Sequence, residues 1–251
     1  MRRKNMQCAA FMVMAMVAMG CGPSEENSSV ASIGQALTPD VPIWYNGNTA
    51  AQYAHDHAFK IDGPKPFRLW AGNNCVNFAS QSILAGLSGK TNPTDLMKIV
   101  DDYDYDARSA KADEFKWYYN SVSGEGKAWI STTKLWAYAN HSWSETWGLR
   151  FNYITHSTTA NPEGLNADKV QRGDIVFGDW FGDDGSFNHT MVVVWVDPDT
   201  SKKALDRIHV ASQTDNTDDW TLRDGFYTWA KGKYGGTPVF HIHRPLYFIS
   251  R

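Results

Sequence analysis

The sequence predicts an α+β domain, with helices packed in its first half and an antiparallel sheet built from its second half. Three observations carry this. Up to about residue 138, apolar residues recur at spacings of three and four, the period of a helix face. From residue 151 onward they alternate or run in short β-branched blocks. No internal repeat and no second apolar core divides the chain after its N-terminal segment.

Taken in order, Asn48-Thr49 reads as the cap of a helix through Tyr53, Ala54 and Ala58. Gly72-Asn73-Asn74 is a turn signal directly before Cys75. Val76, Ala79, Ile83 and Leu87 then form one apolar helical face, and Gly86 and Gly89 are read as its stop. Asn92-Pro93, a cap followed by proline at the first helical position, opens the next helix with Leu96, Met97, Ile99 and Val100. Residues 101–106 alternate acids with Tyr103 and Tyr105 and read as a solvated turn. A short helix is expected around Leu135-Trp136-Ala137-Tyr138. Strands follow at Phe151-Asn152-Tyr153-Ile154 and Ile175-Val176-Phe177, the latter after Gly173-Asp174. His189 heads a nearly continuous apolar run to Val196, the pattern of a strand buried on both faces. Asp197-Pro198-Asp199 turns the chain, and Ile208-His209-Val210-Ala211 returns it as a hairpin with a longer loop. Two segments, 239–243 and 246–249, close the sheet.

Composition narrows the function. The net charge is -3, from 24 basic and 27 acidic side chains, so the basic face of a nucleic-acid binder is not expected. A mean hydropathy of -0.45, with one long apolar run at the N-terminus, excludes a polytopic membrane protein. Eleven Trp and eleven Tyr favour a well-filled core and a groove for an extended ligand.

Residues 1–20 read as an export signal of lipoprotein type. Arg2, Arg3 and Lys4 precede an apolar stretch from Cys8 to Met19, too short to span a bilayer. Ala18-Met19-Gly20-Cys21 resembles a bacterial lipobox, which implies lipidation of Cys21 and attachment to a membrane without spanning it. Ordinary signal cleavage is the alternative. Residues 21–42 read as a polar tether, and residues 43–251 as the folded domain.

This arithmetic leaves Cys75 as the single cysteine of the exported domain. In an oxidising compartment a lone thiol marks a reactive group or a small buried hydrophobe. Its expected place, the first turn of a helix, favours an anion, because unpaired N–H groups and the helix dipole point there. Such a site lowers a thiol pKa and offers donors to an oxyanion. A base must come from elsewhere in the chain. Of eight histidines, His189 is the leading candidate, at the mouth of a buried strand after the Gly182-Asp183-Asp184-Gly185 loop. His209, Gln213 and Asp215 are open candidates for the group that orients it. His241 and His243 share a strand face, but two ligands make weak evidence for zinc. No metal and no cofactor is expected, and no phosphate loop, zincin motif or Gly-x-Ser-x-Gly occurs.

Asn74-Cys75-Val76-Asn77-Phe78-Ala79-Ser80-Gln81 resembles the Asp-Cys-Thr-Asn-Phe-Ala-Ser-Gln signature of the putative amidase domain family, grouped with NlpC/P60-type and papain-like cysteine hydrolases. Trp117-Tyr118-Tyr119, Trp129-Ile130-Ser131, Gly173-Asp174-Ile175-Val176, Asn188-His189-Thr190 and Ser212-Gln213-Thr214-Asp215 are similar to further segments in the family's order. Asn74 stands where the family has Asp, and Gln213 where it usually has His. The resemblance implies a papain-like, NlpC/P60-like fold and an exported cysteine amidase or peptidase, with Cys75 as nucleophile and His189 as base. Its implied substrate is a peptide or peptidoglycan-like stem. The alternative is a glycan- or peptide-binding module of the same fold in which the altered string marks weakened chemistry. Acyl transfer from the same nucleophile is a third class.

Overall fold

A computed structural model describes residues 40–59, 67, 74–103, 116–120, 124–141, 147–182, 185–213 and 217–249. All of these lie within one unit, Ala36–Arg251. Strand β1 (Pro42–Trp44) leads into helix α1 (Gly47–His57), then α2 (Asn74–Ser88) and α3 (Pro93–Ile99), which a 3-10 turn (Val100–Tyr103) continues. A two-stranded ribbon, β2 (Tyr119–Asn120) and β3 (Gly124–Glu125), precedes the short α4 (Lys127–Ile130) and α5 (Thr132–His141). The rest is mostly strand: β4 (Gly148–His156), β5 (Ile175–Asp179), β6 (His189–Val196), β7 (Ile208–Ser212), β8 (Thr217–Thr221) and β9 (Val239–Ile249). Short helices α6 (Ala204–Arg207) and α7 (Thr228–Tyr234) interrupt it, the latter directly after a π-helical turn, Arg223–Tyr227.

The strands form one antiparallel sheet of seven, ordered β1-β9-β5-β6-β7-β8, with β4 also on β9. The α+β expectation of helices packed on an antiparallel sheet therefore holds. The two closing segments are a single strand. β9 pairs with β5 and β4 over its first half and with β1 and β4 over its last three residues. It contains Pro245, which has no N–H for a ladder. The register shifts there, Phe151 facing Pro245 and Arg150 facing Tyr247, so the extra Leu246 makes the bulge that accommodates proline.

Alternation along the strands divides the interior into two layers. Ile175, Phe177, Val192, Val194 and Ala211 face α1, α2 and α5, joining Phe78, Ile83, Leu84, Trp117 and Trp129. Val176, Met191, Val193, Ile208, Val210 and Phe240 face the other way, onto Trp180, Leu222 and Phe226.

Several local readings hold and others change. Asn92 accepts the Thr94 N–H at 2.9 Å and Pro93 opens α3. The cap of α1 lies earlier than expected: Asn46, not Asn48-Thr49, accepts the Thr49 N–H at 3.2 Å. Gly89 follows α2 with φ +72°, a left-handed stop. Gly86 is not a stop. It lies inside α2, where a Cβ would meet the Tyr45 ring at 2.3 Å. That ring is fixed because its hydroxyl donates to the Gly173 carbonyl at 2.6 Å. Of the acidic stretch 101–106, residues 104–106 lie outside the described residues, and Tyr103 is buried.

Candidate active site

Helix α2 is buried from Asn74 to Leu87, so its polar side chains must find partners inside the protein. They do so in one chain of bonds. The Trp129 indole N–H donates to Asn77 Oδ1 at 2.8 Å, and Asn77 Nδ2 donates to Asn74 Oδ1 at 3.0 Å. Asn74 Nδ2 donates to Gln213 Oε1, and Gln213 Nε2 donates to the His57 carbonyl at 2.8 Å. The direction is fixed at both ends, because an indole can only donate and a carbonyl only accept. The relay ties α4, the first turn of α2, the end of β7 and the end of α1 together. Tyr53 donates to Gln81 at 2.7 Å, and the Trp117 indole to Ser80 at 3.1 Å. The polar residues of the string are thus used to seat the helix.

Cys75 is the second residue of α2 and 3% exposed. Its Sγ lies 3.9 Å from Thr132 Oγ1 at the start of α5, and Thr190 Oγ1 donates to the same Thr132 oxygen at 2.9 Å. Thr190 belongs to β6, so the thiol sits above the sheet end where that strand begins. The backbone N–H groups of the α2 first turn lie at the same place.

His189 is the first residue of β6, beside Thr190, and points to the other layer. It follows the alternation of Met191 and Val193, and its ring packs against both Trp180 at 5.3 Å and Phe226 at 5.1 Å. Its Nε2 lies 3.0 Å from Ser212 Oγ, which also reaches the Thr190 carbonyl at 3.4 Å. When the Ser212 hydroxyl donates to that carbonyl, its oxygen accepts the Nε2–H. Nδ1 then carries the basic lone pair.

The structure therefore brings Cys75, Thr132, Thr190, Asn74 and Gln213 together on the helix side of one sheet end. It places His189 and Ser212 at the same end on the opposite side. His189 hydrogen-bonds Ser212 and not Cys75. Gln213 contacts the cysteine-bearing turn through Asn74 and does not touch His189. His209 is not in the cluster. It pairs with Trp195, at the far end of β6, and its Nδ1 meets Asp219 Oδ1 at 3.0 Å. Asp215 lies outside the described residues. Ser212 and Thr132 did not stand out in the sequence. The signal for Ser212 was the strand register, which puts residue 212 on the His189 face and residue 213 on the other.

Asp174 of the Gly173-Asp174 segment is structural. It is fully buried, which pushes its carboxyl pKa up, while its oxygens accept Arg244 at 2.7 and 2.9 Å and the Gln171 N–H at 2.8 Å. Among the described residues no three His, Cys, Asp or Glu side chains are grouped to hold a metal ion. His243 is fully buried against Phe177 and Tyr153, and neither ring nitrogen has a hydrogen-bond partner among the described residues.

A family model, the putative amidase domain, matches residues 44–236. The chain belongs to this family. The match spans α2 with Cys75, β6 with His189 and β7 with Ser212, and membership indicates a hydrolase of amide bonds. No curated protein and no solved structure matches the chain. Within the amidase domain, the Cys75 thiol and the His189 imidazole lie at the same end of the sheet, on opposite faces.

Proposed function

We propose that this amidase domain is an exported cysteine hydrolase in which Cys75 is the nucleophile and His189 the base. The observation that carries this reading is that the first turn of α2, with Cys75, and the first residue of β6, His189, lie at one sheet end. In the proposed reaction Nδ1 takes the thiol proton and Sγ adds to the amide carbonyl. The oxyanion is held by the N–H groups of the α2 first turn. Collapse breaks the C–N bond, and the imidazolium gives its proton to the leaving amine. Water, deprotonated by the same nitrogen, then cleaves the thioester and restores the thiol.

The reaction requires the imidazole to leave Ser212 and turn toward the helix side. The Ser212 bond holds the ring in its resting position. The papain-like, NlpC/P60-like ancestry, a peptide or peptidoglycan-like substrate, and attachment to a membrane through lipid on Cys21 belong to the same proposal. They are supported by the residue strings.

A second reading, a binding module with weakened chemistry, is favoured by the bond from His189 to Ser212. Titration of the Cys75 thiol with iodoacetamide separates the two. A hydrolase with an ionised nucleophile gives a thiol pKa below the ordinary value of about 8.5 and loses activity on alkylation. A thiol titrating at or above that value, with no amide turned over, supports the binding module. Labelling with palmitate that disappears in Cys21→Ser tests the anchor.

A further inference from the structure

Three strands place one residue each in a row across the sheet, on the side away from α1, α2 and α5. Trp44 of β1 lies opposite Tyr247 of β9, and Tyr247 lies opposite Arg150 of β4. Their chain neighbours Ile43, Phe248 and Leu149 pack the other way, into the helix layer. The second apolar layer takes Phe240 and Ile242 from β9 and Ile154 from β4, so its packing ends short of this row. Trp44 is 70% exposed and its ring lies 5.2 Å from that of Tyr247, while Val41, just before β1, is 50% exposed. Adjoining apolar groups left in water mark a contact surface more often than scattered ones do. Arg150 adds a permanent positive charge to the row, and its Nε and Nη1 are buried without a hydrogen-bond partner among the described residues.

These three side chains match the chemistry of a bilayer's outer zone. Tryptophan and tyrosine, each an apolar body with a polar tip, favour the boundary between hydrocarbon and headgroups. A guanidinium short of acceptors fits a lipid phosphate. The layout of the chain selects a bilayer over a soluble anion. The row stands where the polypeptide enters the domain: Asp40, in a left-handed conformation at φ 62°, accepts the Trp147 indole N–H at 2.6 Å, and β1 begins at Pro42. Cys21, the proposed lipid site, is twenty residues before Val41. A polar chain of that length spans about 25 Å on average and at most about 70 Å. A lipid on Cys21 would therefore hold the row close to the headgroups, at a high effective concentration.

We propose that Trp44, Tyr247 and Arg150 form a surface that docks the domain on an anionic phospholipid bilayer, as a second contact beside the lipid on Cys21. The place of this surface in the cell rests on the anchored reading of the proposed function. The contact itself does not, and it is measured without the anchor, on residues 21–251 carrying Cys21→Ser, which keep the whole Ala36–Arg251 unit. The probe is vesicles of phosphatidylethanolamine and phosphatidylglycerol, compared with phosphatidylcholine vesicles by sedimentation at low salt.

Partitioning onto the anionic vesicles is expected to fall at least about fivefold in Trp44→Ala, and less in Trp44→Phe, which keeps a ring. Arg150→Gln is expected to cost about fivefold on the anionic vesicles, the worth of one arginine near such a surface, and to change binding to phosphatidylcholine little. Trp220→Ala, which removes a 53% exposed indole at the β8 edge of the sheet, leaves partitioning unchanged. Thermal melts of each variant show that the fold is kept. No vesicle binding by the parent, undiminished binding by the Trp44 and Arg150 variants, or an equal loss in Trp220→Ala overturns the proposal. So does tighter binding of an N-acetylglucosamine tetramer that is lost in Trp44→Ala. Vesicle binding through this row with no lipid found on Cys21 rejects the anchor alone. Lipid on Cys21 with no vesicle binding through the row rejects this surface alone.

Discussion

His243 offers a direct measure of how firmly the sheet excludes water. Burial, with a smaller contribution from the neighbouring His241, lowers its pKa from the ordinary histidine value of about 6.5 to about 3. In the folded protein the ring is therefore neutral at all but strongly acid pH, whereas in the unfolded chain it takes a proton as pH falls through 6.5. The unfolded state binds more protons in that window, so stability falls from about pH 6.5 down to about pH 3 and no further. Worked through the two pKa values, the loss is about 2 kcal/mol between pH 7 and pH 5, and of the order of 5 kcal/mol below pH 3. The perturbation is His243→Phe, which replaces two unpartnered buried nitrogens with carbon in a site lined by Phe177 and Tyr153. Urea unfolding of both proteins at pH 7 and pH 5 gives four free energies. The variant is expected to be more stable by about 1–2 kcal/mol at pH 7, from relief of the unmet polar groups. That margin grows by about 2 kcal/mol at pH 5. Other titrating groups cancel in the comparison. Equal margins at the two pH values would refute the assignment of His243 as a desolvated, neutral imidazole.

Other outcomes follow from the site and its supports. Cys75→Ala is expected to lower amide turnover more than about a thousandfold, read by product release, with the melting temperature nearly unchanged. Ser212→Ala removes the bond that holds His189 on the face away from Cys75 and is expected to raise kcat by about threefold to tenfold, the worth of one hydrogen bond, with KM close to its starting value. A loss of stability with unchanged kcat would give Ser212 a packing role only. Asn77→Ala breaks two links of the buried amide relay and is expected to cost about 2–4 kcal/mol, visible in urea titration. Gly86→Ala drives a methyl group into the fixed Tyr45 ring and is expected to destabilise by about 1–3 kcal/mol.

The parts legible in the sequence are those decided locally. Asn92-Pro93 announces α3 because the cap and the proline act within one turn. The run from Met191 to Val196 announces a buried strand because no polar residue breaks it. The same run hides which way His189 points. Both alternations of a strand buried on two sides are apolar, so period two marks neither face as the one that meets the helices. The helix side holds Thr190 and Val192, and His189 joins Met191 and Val193. Ser212 depended on the same missing information, the pairing register between β6 and β7. Thr217–Thr221, at the sheet edge, is polar except for the exposed Trp220 and carries no apolar alternation to reveal it. The π-helical turn at Arg223–Tyr227 has no spacing rule that separates it from an ordinary helix start.

Asn74 and Gln213, the two residues at which the chain differs from the signature it resembles, are bonded to each other. An aspartate at 74 would set lone pairs against the Gln213 carbonyl oxygen, which cannot swing away while its amide nitrogen serves His57. Changing either residue alone is thus expected to be harsher than changing both together, an epistasis that a double-mutant cycle would read directly. Because both side chains are amides, the pair itself keeps the same charge and the same bond from mildly acid to mildly alkaline conditions.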